Sequence, residues 1–173
     1  ALLLIDVQEK LFPYVENSCI VMQSMQKTIR GFQILGLPIY VTEQYPKGLG
    51  NTVGVLKGIL GDSQKYLIKT TFSCLDDADI KKELLNLPID QWVIIGIEAH
   101  VCILQTVKDL LLSDKKVVVL NDAISSRSIY DFSTAIAELR DCGARISSSE
   151  TVLFELLRTS KASEFKEISQ LIK

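Results

Sequence analysis

Histidine occurs once in these 173 residues, at His100, and cysteine four times, at Cys19, Cys74, Cys102 and Cys142. The cysteines stand far apart with no C-x-x-C pair, so they form neither a small disulfide scaffold nor, with a single histidine, a typical zinc site. Reduced thiols in a cytosol-like, cytoplasmic compartment fit that usage. A net charge of −2 and the lack of any run of Lys or Arg leave no electrostatic footprint for nucleic acid. No apolar run reaches the ~18 residues that a membrane span requires. Internal repeats and low-complexity tracts are also missing. The chain opens on "ALLLID", which reads as a strand already under way. This points to a trimmed N-terminus, and a targeting signal could have stood there.

What is present is an ordinary globular composition, 47% hydrophobic and 23% charged, at a length that suits one domain over residues 1–173. Short aliphatic runs recur at Leu2–Ile5, Pro38–Thr42, Tyr66–Ile68, Trp92–Ile97, Lys116–Leu120 and Ala144–Ser147. Between and after them lie segments with helical apolar spacing: Cys19–Leu35, Ile80–Leu87, Val101–Leu112, Tyr130–Cys142, Val152–Leu157 and Phe165–Ile172. In the first of these, Ile20, Met25, Ile29, Phe32 and Leu35 are expected to share the buried face. Strands apolar on both sides, alternating with helices, predict a parallel sheet covered on both faces. Gly36 and Gly143 sit where helices should end. The one long irregular piece, "EQYPKGLGNTVG" from Glu43 to Gly54, is a candidate lid.

Polar residues interrupt this pattern at telling places. Asp6 ends the first strand, Lys69 ends the third, and Cys102 lies where the fourth strand gives way to a helix in "GIEAHVCILQT". In a parallel sheet all three fall at the carboxyl edge, where open α/β folds bind their ligands. A strand-terminal Asp is common in other α/β domains, and a Lys at a strand end can simply reach solvent. Cysteines in apolar surroundings are usually small buried hydrophobes, and Cys19, Cys74 and Cys142 are best read that way. Cys102 differs by position, since a helix N-terminus and a nearby Lys both lower a thiol pKa. The chemistry that uses such a trio is nucleophilic acyl transfer, with Asp6 as base, Lys69 as the stabilising charge and backbone N–H groups of the turn for the oxyanion.

"LLLIDVQ", "LIKTTFS" and "VIIGIEAHVCILQT", in this order, resemble the isochorismatase-like cysteine hydrolases. "VTEQYPKGLGNTV", "DAISSRS" and "SSETVLFELL" with a closing "FKEISQLIK" resemble more narrowly the isochorismatase-domain-containing subgroup. The resemblance implies a three-layer α/β/α fold with a six-stranded parallel sheet in the order 3-2-1-4-5-6. It also implies a triad of Asp6, Lys69 and Cys102, a cis peptide at Ile97–Glu98, and an oxyanion site made by the N–H groups of Glu98 and Cys102. Glu98 stands where many amidases of the family carry a small residue. Gln44, Tyr45 and Phe72 are expected to line a substrate pocket, and His100 to steady the turn rather than pair with the thiol.

The metal-binding histidines of the family's nicotinamidases are not matched, so no metal and no cofactor are expected. The cysteine that true isochorismatases lack is present at Cys102. The expected activity is therefore metal-independent hydrolysis of an amide or related C–N bond in a small molecule, by a homo-oligomer, dimer or tetramer. Two alternatives stay open at this point: a catalytically silent scaffold and a redox-sensing thiol at Cys102.

Overall fold

The aliphatic runs do form strands. In the computed structural model, which describes residues 1–173, they are β1 (Leu2–Ile5), β2 (Ile39–Gln44), β3 (Tyr66–Lys69), β4 (Gln91–Ile97), β5 (Lys116–Ser125) and β6 (Arg145–Ser147). All pairings are parallel, and the order is β3-β2-β1-β4-β5-β6, as expected. The helices are α1 (Ser18–Ile34), α2 (Pro46–Leu49), α3 (Gly54–Leu60), α4 (Ala78–Leu85), α5 (Leu104–Leu112), α6 (Ile129–Asp141), α7 (Ser149–Leu157) and α8 (Phe165–Ile172). No helix is long and apolar enough to cross a membrane.

Alternation along each strand divides the buried side chains into two cores. Leu2, Leu4, Val41, Val93, Ile95 and Ile97 face α1, α3, α7 and α8. Leu3, Ile5, Leu67, Trp92 and Ile94 face α4, α5 and α6, together with Cys74 and Cys102. Helix α1 buries Val21, Met25, Ile29 and Phe32, an i, i+4, i+8, i+11 stripe. Ile20, expected on that face, is 63% exposed, because Val21 rather than Ile20 lies in register with Met25.

The expected lid is not a free loop. Its residues form α2 and run into α3. It is also fastened from below: Gln8 bridges Thr52, the Gln8 Nε2 donates to the carbonyls of Gln44 and Gly50, and Glu43 Oε1 accepts from both the N–H and the hydroxyl of Thr52. Polar residues that looked like loop chemistry are spent holding this segment to the ends of β1 and β2.

The sheet's centre depends on Gly96, which pairs with Ile5 and carries a φ of 142°. A Cβ there would collide with the Ile5 carbonyl oxygen and crowd the Ile5 amide. The neighbouring β4–β5 pairing also shifts register between Ile94 and Gly96, which lets β5 run on to Ser125. Gly96→Ala should cost about 3 kcal/mol, because the clash is with backbone that cannot rotate away. Urea melts of the two proteins read this directly, and an unchanged midpoint would show that β1 and β4 can separate without penalty.

Candidate functional site

Three strand ends and one turn build the site. Asp6 directly follows β1 and adopts a left-handed backbone with φ 54°, a conformation Asp tolerates better than most residues and one that clusters at functional positions. Its carboxylate is fully buried and is met by Lys69 from the end of β3, with Nζ 2.6 Å from Oδ2 and both side chains at most 1% exposed. The Lys69 ammonium also donates to the carbonyls of Thr71 and Phe72, each at 3.1 Å, so its three donors are all committed. The other oxygen, Oδ1, accepts from the Thr42 hydroxyl at 2.7 Å. Burying two charges is tolerated only when each is paired and hydrogen-bonded, and this pair is.

Burial is the largest single influence on Lys69 and would lower its pKa. The Asp6 carboxylate and the two nearby thiols together outweigh it and raise the pKa above the ordinary lysine value.

Cys102 lies on the same face of the sheet, 6% exposed, within a π-helical turn, Ala99–Ile103, that precedes α5. Burial first, and then the Asp6 charge and hydrogen bonding to Asp6, push its thiol far above the ordinary range, while Lys69 pulls the other way. The expected low-pKa thiol is thus corrected. Burial dominates, and the Lys69 charge that would oppose it is already neutralised by Asp6.

Beside it, fully buried Cys74 is raised to about 12 by burial and Asp6, and its backbone N–H donates to the Thr106 hydroxyl. Cys74 fits the buried-hydrophobe reading in burial, but it stands next to the charged pair. Cys19 and Cys142, expected to be buried, are exposed.

The turn itself differs from expectation. Every peptide bond is trans, Ile97–Glu98 included, so the expected cis bond is not found. The chain changes direction through Gly96 (φ 142°) and Glu98 (φ −20°, ψ 103°) instead. The Glu98 carbonyl accepts from the N–H groups of Val101 and Ile103, on either side of Cys102.

The Glu98 side chain, 9% exposed, turns toward the segment after β5, where Oε1 accepts from Arg127 Nε at 3.2 Å. His100 bonds Ser126 through Nδ1 at 2.9 Å, and its Nε2 lies 3.9 Å from Asp131, so its ring ties the turn to the start of α6.

Of the expected pocket residues, Gln44 is 8% exposed and lies beside Lys69 in register. Tyr45 and Phe72 are each 54% exposed at the rim, and the part of Phe72 that touches the charged pair is its carbonyl. Thr42 escaped the sequence reading, although a polar residue one turn of the pleat before Gln44 was a visible signal. No three His, Cys, Asp or Glu side chains are grouped so as to hold a metal ion. The larger surface clefts lie elsewhere, one of them against Arg30, Gln33, Ile59 and Glu167.

The Isochorismatase domain family matches residues 1–151. Isochorismatase domain-containing protein 1 of Danio rerio is 37% identical over 169 residues, 97% of this chain and 59% of that protein. The chain thus spans about three-fifths of the length of that relative. Isochorismatase domain-containing protein 2 of the same fish is 38% identical over 172 residues, 99% of this chain and 85% of that protein. Among solved structures, one described as MAR1 ribonuclease from Caenorhabditis elegans superposes with a TM-score of 0.91 at 37% identity, covering 99% of this chain and 88% of that one.

Two outcomes test the electrostatics. Lys69→Met leaves the buried Asp6 carboxylate without its partner and should destabilise the protein by about 3–5 kcal/mol, measured by chemical denaturation. Iodoacetamide at neutral pH should label exposed Cys19 and Cys142 at least ~10-fold faster than Cys102, since each unit of upward pKa shift costs tenfold in thiolate. Mass-mapped labelling rates decide it, and first labelling at Cys102 would contradict a thiol held protonated.

Proposed function

Because this chain belongs to the Isochorismatase domain family, and within it to the isochorismatase domain-containing proteins, we propose that it is a metal-independent cysteine hydrolase of a small-molecule amide or related C–N bond. The observation that carries this reading is the fully buried Asp6–Lys69 pair with Cys102 on the same face of the sheet.

On attack, the Cys102 thiol passes its proton to Asp6 as Sγ bonds to the carbonyl carbon, and the carbonyl oxygen becomes an oxyanion. The N–H groups of Glu98 and Cys102 are assigned to hold that oxyanion. Collapse breaks the C–N bond, and the departing amine takes the proton from Asp6, leaving a thioester on Cys102. Asp6 then takes a proton from water as the water oxygen attacks the thioester. The carboxylic acid leaves and the proton returns to sulfur.

Lys69 touches no reacting atom in this scheme. It fixes the carboxylate, with Thr42 holding the other oxygen. A thiol with a raised pKa suits the scheme, because its proton leaves only as the new bond forms. Residues 1–173 act as one hydrolase domain in this reading, and it needs no cofactor. Exposed Phe154 and Leu156 on α7, with Val55 on α3, support self-association as a homo-oligomer.

RNA cleavage is a second reading, favoured by the description of the 37% identical worm relative as a ribonuclease. A net charge of −2 weighs against it.

Intact-mass spectrometry of the wild type and Cys102→Ala, quenched in acid after incubation with a library of small amides, tests the proposal. A wild-type adduct with the mass of an acyl group, absent from the variant, is expected. Adducts from none of the amides, together with cleavage of single-stranded RNA by the wild type, would move the assignment to the second reading.

A further inference from the structure

Three buried side-chain atoms have no hydrogen-bond partner: Trp92 Nε1, Gln44 Oε1 and Glu98 Oε2. Trp92 lies near the start of β4, stacked edge-on against Tyr40 and away from the site. The other two stand at the carboxyl edge on opposite sides of Asp6, and both are acceptors. An orphaned buried acceptor costs about 1–3 kcal/mol, and two at one site call for a common explanation.

Gln44 shares the sheet face of Thr42 and Lys69, because alternate residues of β2 point the same way and Gln44 is the register partner of Lys69. Its Nε2 donates to the Thr70 carbonyl at 3.3 Å, which leaves Oε1 bare. On the other side, Glu98 Oε2 lies 3.5 Å from His100 Nδ1, but that nitrogen is engaged with Ser126. Two strand spacings separate β2 from β4, so the backbones that carry the two acceptors lie on the order of 10 Å apart, with the end of β1 and Asp6 between them. The donors of the site are taken in turn: Lys69 has none to spare, the Thr42 hydroxyl serves Asp6, and Arg127 Nε serves Glu98.

Resting on the hydrolase reading, we propose that Gln44 and Glu98 are the recognition groups for a donor-rich substrate, a small primary carboxamide that carries an amine on its acyl side. Gln44 Oε1, beside Lys69 and hence close to Asp6, accepts from the amide NH2 that becomes the leaving group. Glu98 Oε2 accepts from the amine, whose positive charge complements a carboxylate that Arg127 only partly offsets from its largely solvent-exposed position. A carboxylate in place of the amine gains no donor from Lys69 or Thr42 and meets the Glu98 carboxylate, so it is disfavoured by the same logic.

The test uses Cys102→Ala, which binds without turnover, and a series of ω-aminoalkanamides. Each is compared with the alkanamide lacking the amine, with its N,N-dimethylamide and with the corresponding ω-carboxy amide. Calorimetry should show affinity falling roughly tenfold or more on loss of either donor. Adding Glu98→Gln should erase the amine preference alone, and adding Gln44→Met the NH2 preference alone. Equal binding of donor-free amides, preference for the carboxylates, or no binding by any member of the series would overturn the proposal, and these comparisons need no further substitution that could perturb folding. Thioester adducts on the wild type from donor-free amides as readily as from donor-bearing ones would sink this inference and keep the hydrolase. Donor-dependent binding without any adduct would keep the recognition groups and sink the hydrolase.

Discussion

The ion pair between Asp6 and Lys69 is the constraint from which the rest of the site follows. A carboxylate buried at the end of a central strand must have every strong lone pair answered. Thr42 answers one oxygen from the neighbouring strand β2, and Lys69 answers the other from β3, one strand further out. With strands ~4.8 Å apart, the two backbones are about 10 Å apart, a gap that a long lysine side chain closes together with the Asp6 carboxylate reaching from the other side. The ammonium then demands partners of its own. The chain after β3 bends back to supply them from the carbonyls of Thr71 and Phe72, and the same bend delivers Cys74 into the core.

The pair also decides what the thiol is. A free lysine beside Cys102 would favour the thiolate, but a lysine already held by a carboxylate offers little net field, and burial then dominates. The thiol therefore rests protonated beside the Asp6 carboxylate. In the proposed reaction the substrate completes the activation, since the proton moves as the carbonyl arrives. The same neutralisation leaves Lys69 with no free charge to offer a phosphate or carboxylate.

The strands and the three residues at the carboxyl edge were legible because buried aliphatic runs leave a strong pattern, and a charge that interrupts one has few innocent explanations; the strand order came from the family resemblance alone. Asp6 and Lys69 stood out for that reason. Gly54–Leu60 did not read as a helix, since the segment is short and two of its seven residues are glycine. Ile20 and Val21 are both aliphatic and adjacent, so periodicity could not say which one faces the sheet. The geometry of the turn between β4 and α5 depends on the dihedral angles of Gly96 and Glu98, which composition does not encode. Cys19 and Cys142 share their residue type with Cys74, but they sit on the solvent sides of their helices. Their residue type alone therefore misplaced them.

What lay furthest from sequence was the balance of donors and acceptors around the pair. Counting it requires coordinates, because each polar residue at the edge had a credible role before its partner was known. Of the polar residues Gln8, Glu43, Gln44 and Glu98 at this edge, the first two are consumed by holding the 43–54 segment in place. The second two keep one bare oxygen each. The machinery that must not vary is locked by saturated bonds, and what remains unsaturated lies at its flanks. A fold arranged in this way can keep one reaction while its flanking acceptors and rim residues select among substrates. Under the proposed reading, the unpaired atoms, rather than the triad, carry the information about what this protein binds.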